Sequence, residues 1–261
     1  MIDPLWLALA LKMAFSAAIV VAASILIERV GPFIGAMIAT LPISAGPAYT
    51  FLALEHGAGF IERSTLPSLA VNAATFAFVA IYAHLAQRQN LFVALGTALG
   101  LWLLAAVLIE RQSWTLQAAV ALNILAYIPA FWSTRAFRKM QTPRAPKGFW
   151  WDVPLRAVLV MFLVATVVIL GRLAGPAAAG IAALVPIVLT SLVIILHPRI
   201  GGSGTAAVLA NALPGLFGFG CAVTLLHLTA VSWGAIPALF IALVTCVVWN
   251  LGLGLQRRMA A

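Results

Sequence analysis

The chain has 261 residues, of which 64% are apolar and only 8% charged, with a formal net charge of +9. A water-soluble domain of this length cannot enclose so much apolar surface behind so few charges, so the composition makes lipid the solvent. The basic residues stand singly between apolar runs except in one loop, which argues against a nucleic-acid partner and reads instead as a topology signal.

Inside hydrocarbon the backbone must satisfy its own hydrogen bonds, which leaves helices or a closed barrel. The stretches Val158 to Leu170 and Ile181 to Leu196 lack the polar and apolar alternation of barrel strands. The expected fold is therefore all-α, a polytopic membrane protein of about nine transmembrane helices. Charges, Gly-Pro pairs and polar clusters set the predicted spans near 4–27, 33–54, 65–87, 91–109, 115–133, 154–171, 177–197, 205–228 and 233–255.

The first span follows directly on Met1-Ile2-Asp3-Pro4, with no small-residue cleavage site, and is expected to be retained. In the second, Thr40-Leu41-Pro42-Ile43-Ser44-Ala45-Gly46-Pro47 puts two prolines and a glycine midway between Gly31 and Glu55. A regular helix there would lose backbone hydrogen bonds. Tyr49 follows this break, Asn72 lies in the third span, and Gln117, Asn123 and Tyr127 give the fifth a polar stripe facing either the site or the bundle interior.

The loop after the fifth span carries Arg135, Arg138, Lys139, Arg144 and Lys147, with Pro143 and Pro146, and should be cytoplasmic. Counting outward puts Arg29, Arg88, Arg199, Arg257 and Arg258 on the same side, and Arg63, Arg111 and Arg172 opposite. The N-terminus is then outside and the C-terminus cytoplasmic, in a bacterial inner membrane. Trp114, Trp132, Trp150, Trp151 and Trp233 fall near span ends, where indoles favour the headgroup region. The seventh span is interrupted by Val185-Pro186-Ile187, with Thr190 and Ser191 one turn on. Gly201-Gly202-Ser203-Gly204-Thr205 reads as a flexible turn opening the eighth span, or as an anion cradle at its N-terminus. Cys221 and Cys246 lie inside spans as small packing residues.

The segment Leu11-Lys12 through Gly31-Pro32 to Pro42-Ile43 recurs without a gap as Leu155-Arg156 through Gly175-Pro176 to Pro186-Ile187, 144 residues later. Five spans separate the copies, so they should face the bilayer in opposite directions, as an inverted repeat. Further on, Asn72-Ala73 suggests Asn211-Ala212 and His84-Leu85 suggests His227-Leu228, at offsets that differ. The organisation expected is a first repeat over 1–112, a linker span with the basic loop over 113–152, and a second repeat over 153–261; two five-span repeats, the second without its last helix, are the alternative.

Inverted repeats supply a mechanism for transport, because two copies about an in-plane axis can exchange conformations around a central site. The candidate substrate-binding residues are Thr40, Pro42, Ser44, Gly46, Tyr49, Asn72, Asn123, Pro186, Thr190, Ser191 and Asn211. The alternative is that each proline merely kinks a packed helix, each hydroxyl bonds to its own helix, and each asparagine glues helices together. Lys12 and Arg156, aligned by the repeat, either snorkel to the headgroups or form a buried cationic pair suited to an anion.

Asp3, Glu28, Glu55, Glu62, Glu110 and Asp152 all fall at span ends or in loops, so no carboxylate is expected at the midplane for ion coupling. His56 and His227 are placed on one side and His84 and His197 on the other, which argues against a shared metal site. No set of side chains suggests an enzyme, and no cofactor is expected. The partners expected are the lipid bilayer and a small-molecule solute, with a homo-oligomer left open.

Paired proline-broken helices in inverted halves resemble the bile acid/sodium symporter and auxin efflux carrier group, on Pro42 with Gly46-Pro47 and Pro186 with Thr190-Ser191. That resemblance implies transport of organic anions across a crossing of two broken helices. The breaks here lie in the second span of each half, and the symporters' acidic sodium ligands are missing. The expectation is a permease for a small anionic or neutral solute. A channel, a lipid flippase and a non-transporting assembly subunit are the alternatives.

Overall fold

A computed structural model describes residues 4–30, 41–140 and 150–259. All the regular structure among them is helical: α1 Pro4–Val30, α2 Ala45–His56, α3 Ala58–Leu85, α4 Leu91–Glu110, α5 Leu116–Ser133, α6 Arg135–Arg138, α7 Asp152–Leu173, α8 Gly175–Ala183, α9 Ile187–Trp233 and α10 Ala235–Met259. Among the described residues, six helical stretches are long and apolar enough to cross a membrane: α3, α4, α5, α7, the run from α8 through α9, and most of α10. The molecule is a multi-pass helical membrane protein.

Local chemistry sets several boundaries. Asn90 starts α4 by accepting a 3.0 Å hydrogen bond from the Val93 amide, and Thr115 starts α5 by accepting one of 3.3 Å from Ala118. These caps occupy amides that have no partner within the helix. Gly57, between α2 and α3, has φ 79° and ψ −176°, and Gly201, inside α9, has φ 74° and ψ 171°. That region of backbone space is essentially open to glycine alone. Gly201 thereby divides the 47-residue α9 into limbs 187–200 and 202–233.

α3 is the centre of the bundle. In its most apolar stretch 78% of residues are buried, against 17% to 28% for α4, α5, α7 and α10, which present apolar side chains outward to lipid. Small residues let neighbours reach it. A Cβ at Gly180 of α8 would overlap the Ser64 carbonyl oxygen, and one at Gly202 of α9 would overlap that of Ala86. Both helices therefore approach α3 at backbone distance.

Two expectations change. The third span begins at Ala58 rather than near residue 65, so Glu62 and Arg63 lie within its first turns instead of bounding it. The run Gly201 to Thr205 is no loop: only Gly201 leaves helical geometry, and Thr205 Oγ1 already donates to the Gly201 carbonyl at 2.9 Å. The repeated Gly31-Pro32 pair and Thr40 lie outside the described residues.

Candidate functional site

Two short non-helical segments meet within the bundle. Leu41 to Ser44 are non-helical before α2, and Leu184 to Pro186 are non-helical between α8 and α9. Each holds a proline, which has no N–H to give to a helical hydrogen bond, and at Pro186 the ring would also clash with the last turn of α8. The same two backbone hydrogen bonds recur in both. Ile43 N donates to Leu41 O at 2.7 Å and Gly46 N to Pro42 O at 2.7 Å. In the second break Ile187 N donates to Val185 O at 2.7 Å and Thr190 N to Pro186 O at 2.8 Å, each 144 residues later. Pro186, at φ −76° and ψ 53°, makes an inverse γ-turn.

Between the breaks lies a cavity of about 80 Å³. Leu41, Pro42, Ser44 and Ala45 line one wall, and Val185, Pro186, Val188 and Leu189 line another. Asn72 and Thr75 of α3 and Leu216 and Phe219 of α9 add to it, as do Ala183, Leu184 and Ile187 beside the second break. All but Ala183, Leu184 and Ile187 have their counterpart 144 positions away in the same lining.

The short helices that start at the cavity run in opposite directions. α2 ends at Glu55, whose carboxylate holds Arg172 in a two-point contact of 2.8 and 3.0 Å. The first limb of α9 ends near Arg199, which bonds Asp152 at 2.5 Å. Arg172 and Asp152 stand at opposite ends of α7, about 30 Å apart at 1.5 Å per residue. Both short helices thus turn the positive ends of their dipoles toward the cavity.

Polar groups at the cavity come from α3 and are held from behind. Asn72 Nδ2 donates to Asn123 Oδ1 of α5 at 2.9 Å and to Leu216 O of α9 at 3.4 Å. Asn123 Nδ2 donates to Leu69 O at 2.5 Å and Ala119 O at 2.9 Å. Thr75 Oγ1 accepts from Trp102 Nε1 of α4 at 3.1 Å. No carboxylate lines the cavity among the described residues.

Of the residues singled out in the sequence, Pro42, Ser44, Asn72 and Pro186 line the cavity, and Asn123 reaches it through Asn72. Gly46 belongs to the turn behind Pro42, and Thr190 to the turn behind Pro186. Ser191 donates back to Val188 O at 2.8 Å. Tyr49 is buried elsewhere, its hydroxyl against Ser68 Oγ, which itself donates to Gly180 O at 2.7 Å and so links α2, α3 and α8. Asn211 lies away from the cavity, donating to Ala207 O at 2.8 Å and to Arg138 O at 3.5 Å. An amide on an interior helix takes the nearest carbonyls, and for Asn211 those belong to its own helix and to Arg138, the last residue of α6.

Sequence reasoning missed Thr75, Leu216 and Phe219. Thr75 stands three residues after Asn72 and hence on the same helical face, a signal that was available. Leu216 and Phe219 carry the gapless offset from Asn72 and Thr75, which an apolar chain conceals.

The charged residues sit at the two ends. Lys12 of α1 pairs with Glu55, so its ammonium is neutralised there rather than turned to the cavity. The histidines are likewise divided: His227 Nδ1 lies 3.0 Å from Thr65 Oγ1, and His197 Nδ1 lies 2.7 Å from the Tyr82 hydroxyl, at opposite ends of α3.

These features define a polytopic helical membrane protein with a small central cavity between two proline-broken segments. No protein-family model, curated protein or solved structure matches the chain.

Proposed function

We propose that the protein is a carrier that moves a small anionic or neutral solute across a bacterial inner membrane by alternating access, with the solute seated between the two proline breaks. In this reading the chain crosses nine times, with its N-terminus outside and its C-terminus cytoplasmic. It consists of two inverted repeats, 1–112 and 153–261, joined by a linker span. The observation that carries the reading is the matched pair of breaks, with the same hydrogen bonds at Pro42 and Pro186, opening on one cavity from which α2 and the first limb of α9 leave in opposite directions.

The physical argument is one of exchange. If two copies of one structure can each adopt either of two conformations, swapping them opens the shared site to the opposite side. The cavity, about 80 Å³ and only partly enclosed, is far below the 300–1,000 Å³ of ordinary ligand pockets, which suits a small solute. Half-helix N-termini at a site tolerate anionic or neutral groups and disfavour cations.

The test is two-sided accessibility. With Cys221 and Cys246 replaced by serine, Ala45→Cys and Val188→Cys are introduced singly and exposed to a membrane-impermeant thiol reagent from each side of oriented vesicles. Alternating access predicts modification from both sides at both positions, without ion leakage through the vesicles. Leakage would indicate a channel. No modification from either side would indicate a sealed, non-transporting subunit and end the carrier reading.

A further inference from the structure

We infer that Asn72 selects the solute by hydrogen-bond polarity, so that the cavity takes a small uncharged molecule bearing an N–H or O–H donor in preference to a bare anion of the same size. This rests on the reading of the cavity as the solute site and narrows its substrate class.

The argument is a chain of fixed orientations. Backbone carbonyls only accept hydrogen bonds. Asn123 meets two of them, Leu69 O at 2.5 Å and Ala119 O at 2.9 Å, so its amide nitrogen must face that way. Its Oδ1 is thereby left for Asn72, which must answer with a donor, and does so at 2.9 Å. The second hydrogen of Asn72 Nδ2 goes to a third carbonyl, that of Leu216, at 3.4 Å. Both donors of Asn72 are committed.

What remains is its Oδ1. That oxygen accepts from no described residue, although Asn72 is only 1% exposed and lines the cavity. The oxygen itself keeps some open surface, so a small molecule in this mostly apolar site can reach it; a donor there is favoured, and an anion that has none is disfavoured. One helical step away on the same face, Thr75 Oγ1 is already an acceptor for Trp102 Nε1 at 3.1 Å, which leaves its own hydrogen to donate. The α3 wall therefore offers one acceptor and one donor side by side, the pattern that complements an amide, an alcohol or an undissociated acid.

Volume narrows the class further. An apolar cavity of about 150 Å³ holds benzene, so about 80 Å³ suits roughly three or four non-hydrogen atoms. Acetamide and acetate have that size and nearly the same shape, and at neutral pH only acetamide carries a donor.

The experiment measures thermal unfolding of the full chain in nanodiscs against increasing acetamide, formamide, acetate and nitrate, with apparent affinities taken from the shifts. For the wild type, the two amides are expected to stabilise at concentrations at least about tenfold lower than the two anions, the kind of discrimination a buried hydrogen-bonding group supplies. Asn123→Leu unlocks Asn72, which can then turn its Nδ2 to the cavity, and the preference should shrink or reverse. Anions binding the wild type as well as the amides would overturn the inference while leaving the solute site standing, as would an Asn123→Leu variant that keeps the full preference. If none of the four binds, the reading of the cavity as a solute site fails and the inference with it. Should Asn123→Leu not fold, the wild-type comparison alone decides.

Discussion

Asn72 and Leu216 touch at the centre of the molecule, the side-chain amide of one donating to the backbone carbonyl of the other at 3.4 Å across 144 residues of chain. The contact lies at the cavity that both line. Gly220 packs over the same point, where an added Cβ would stand 3.1 Å from Asn72 Nδ2 and 3.4 Å from Asn123 Oδ1. Gly220→Ala should therefore displace the amide pair and lower stability by about 1 kcal/mol, through overpacking. Thermal unfolding in nanodiscs checks this, and an unchanged midpoint would mean that the pair is not held rigidly.

Gly57 and Gly201 test the two hinge points. Both have positive φ with extended ψ, and nothing lies within 4 Å of a Cβ added at either, so any cost of alanine there is purely conformational. Gly57→Ala and Gly201→Ala should each destabilise by about 1–3 kcal/mol. Gly59, also with open space around it but inside α3, supplies the control. Gly59→Ala should raise stability by about 0.5–1 kcal/mol, the opposite sign.

The ionic contacts at the two ends should rank by enclosure. Asp152 and Arg199 have side chains only 6% and 8% exposed, Glu55 is 14% exposed, and Arg172 is 37% exposed. Removing one partner of an enclosed pair strands the other charge, whereas an exposed pair is screened by water and salt. Asp152→Asn should cost about 3–5 kcal/mol, Glu55→Gln about 2 kcal/mol, and Arg172→Gln less than about 1 kcal/mol. Chemical denaturation of the three variants gives the order, and Arg172→Gln proving the most damaging would refute this account.

Pro186→Ala separates folding from access. Alanine restores the missing N–H and relaxes the unfolded chain, so stability should fall by only about 0.5–1 kcal/mol. It also permits α8 and α9 to join into one helix. Thiol modification of Val188→Cys should then be lost from at least one side of the membrane. Retained two-sided modification would show that the break itself is dispensable.

Much of the helical layout was legible because lipid imposes one rule on the backbone. Where a long apolar run occurs, a helix is the form that leaves no amide unsatisfied, and α4 and α5 begin and end within a residue of their predicted limits. The breaks at Pro42 and Pro186 were legible for the complementary reason, since proline cannot supply the hydrogen bond a helix needs there. The start of α3 was not, because Glu62 and Arg63 read as a span boundary but are carried inside the helix.

The polar residues were only partly legible. Tyr49, Ser191 and Asn211 share the composition of site residues, yet each finds a nearby partner and is spent on packing: Ser68 for Tyr49, Val188 O for Ser191, and Ala207 O for Asn211. Thr75 and Trp102, which shape the α3 wall, are 27 residues apart and meet only through the turn between α3 and α4.

By itself the sequence determined the solvent, the helical class and the two positions where helices must break, since each follows from the chemistry of a single residue type in hydrocarbon. The tertiary structure alone decided that both breaks open on one cavity, and that Asn123 and Leu216 take up the donors of Asn72. Those outcomes depend on contacts between residues 51 and 144 positions apart, whose geometry no local pattern records.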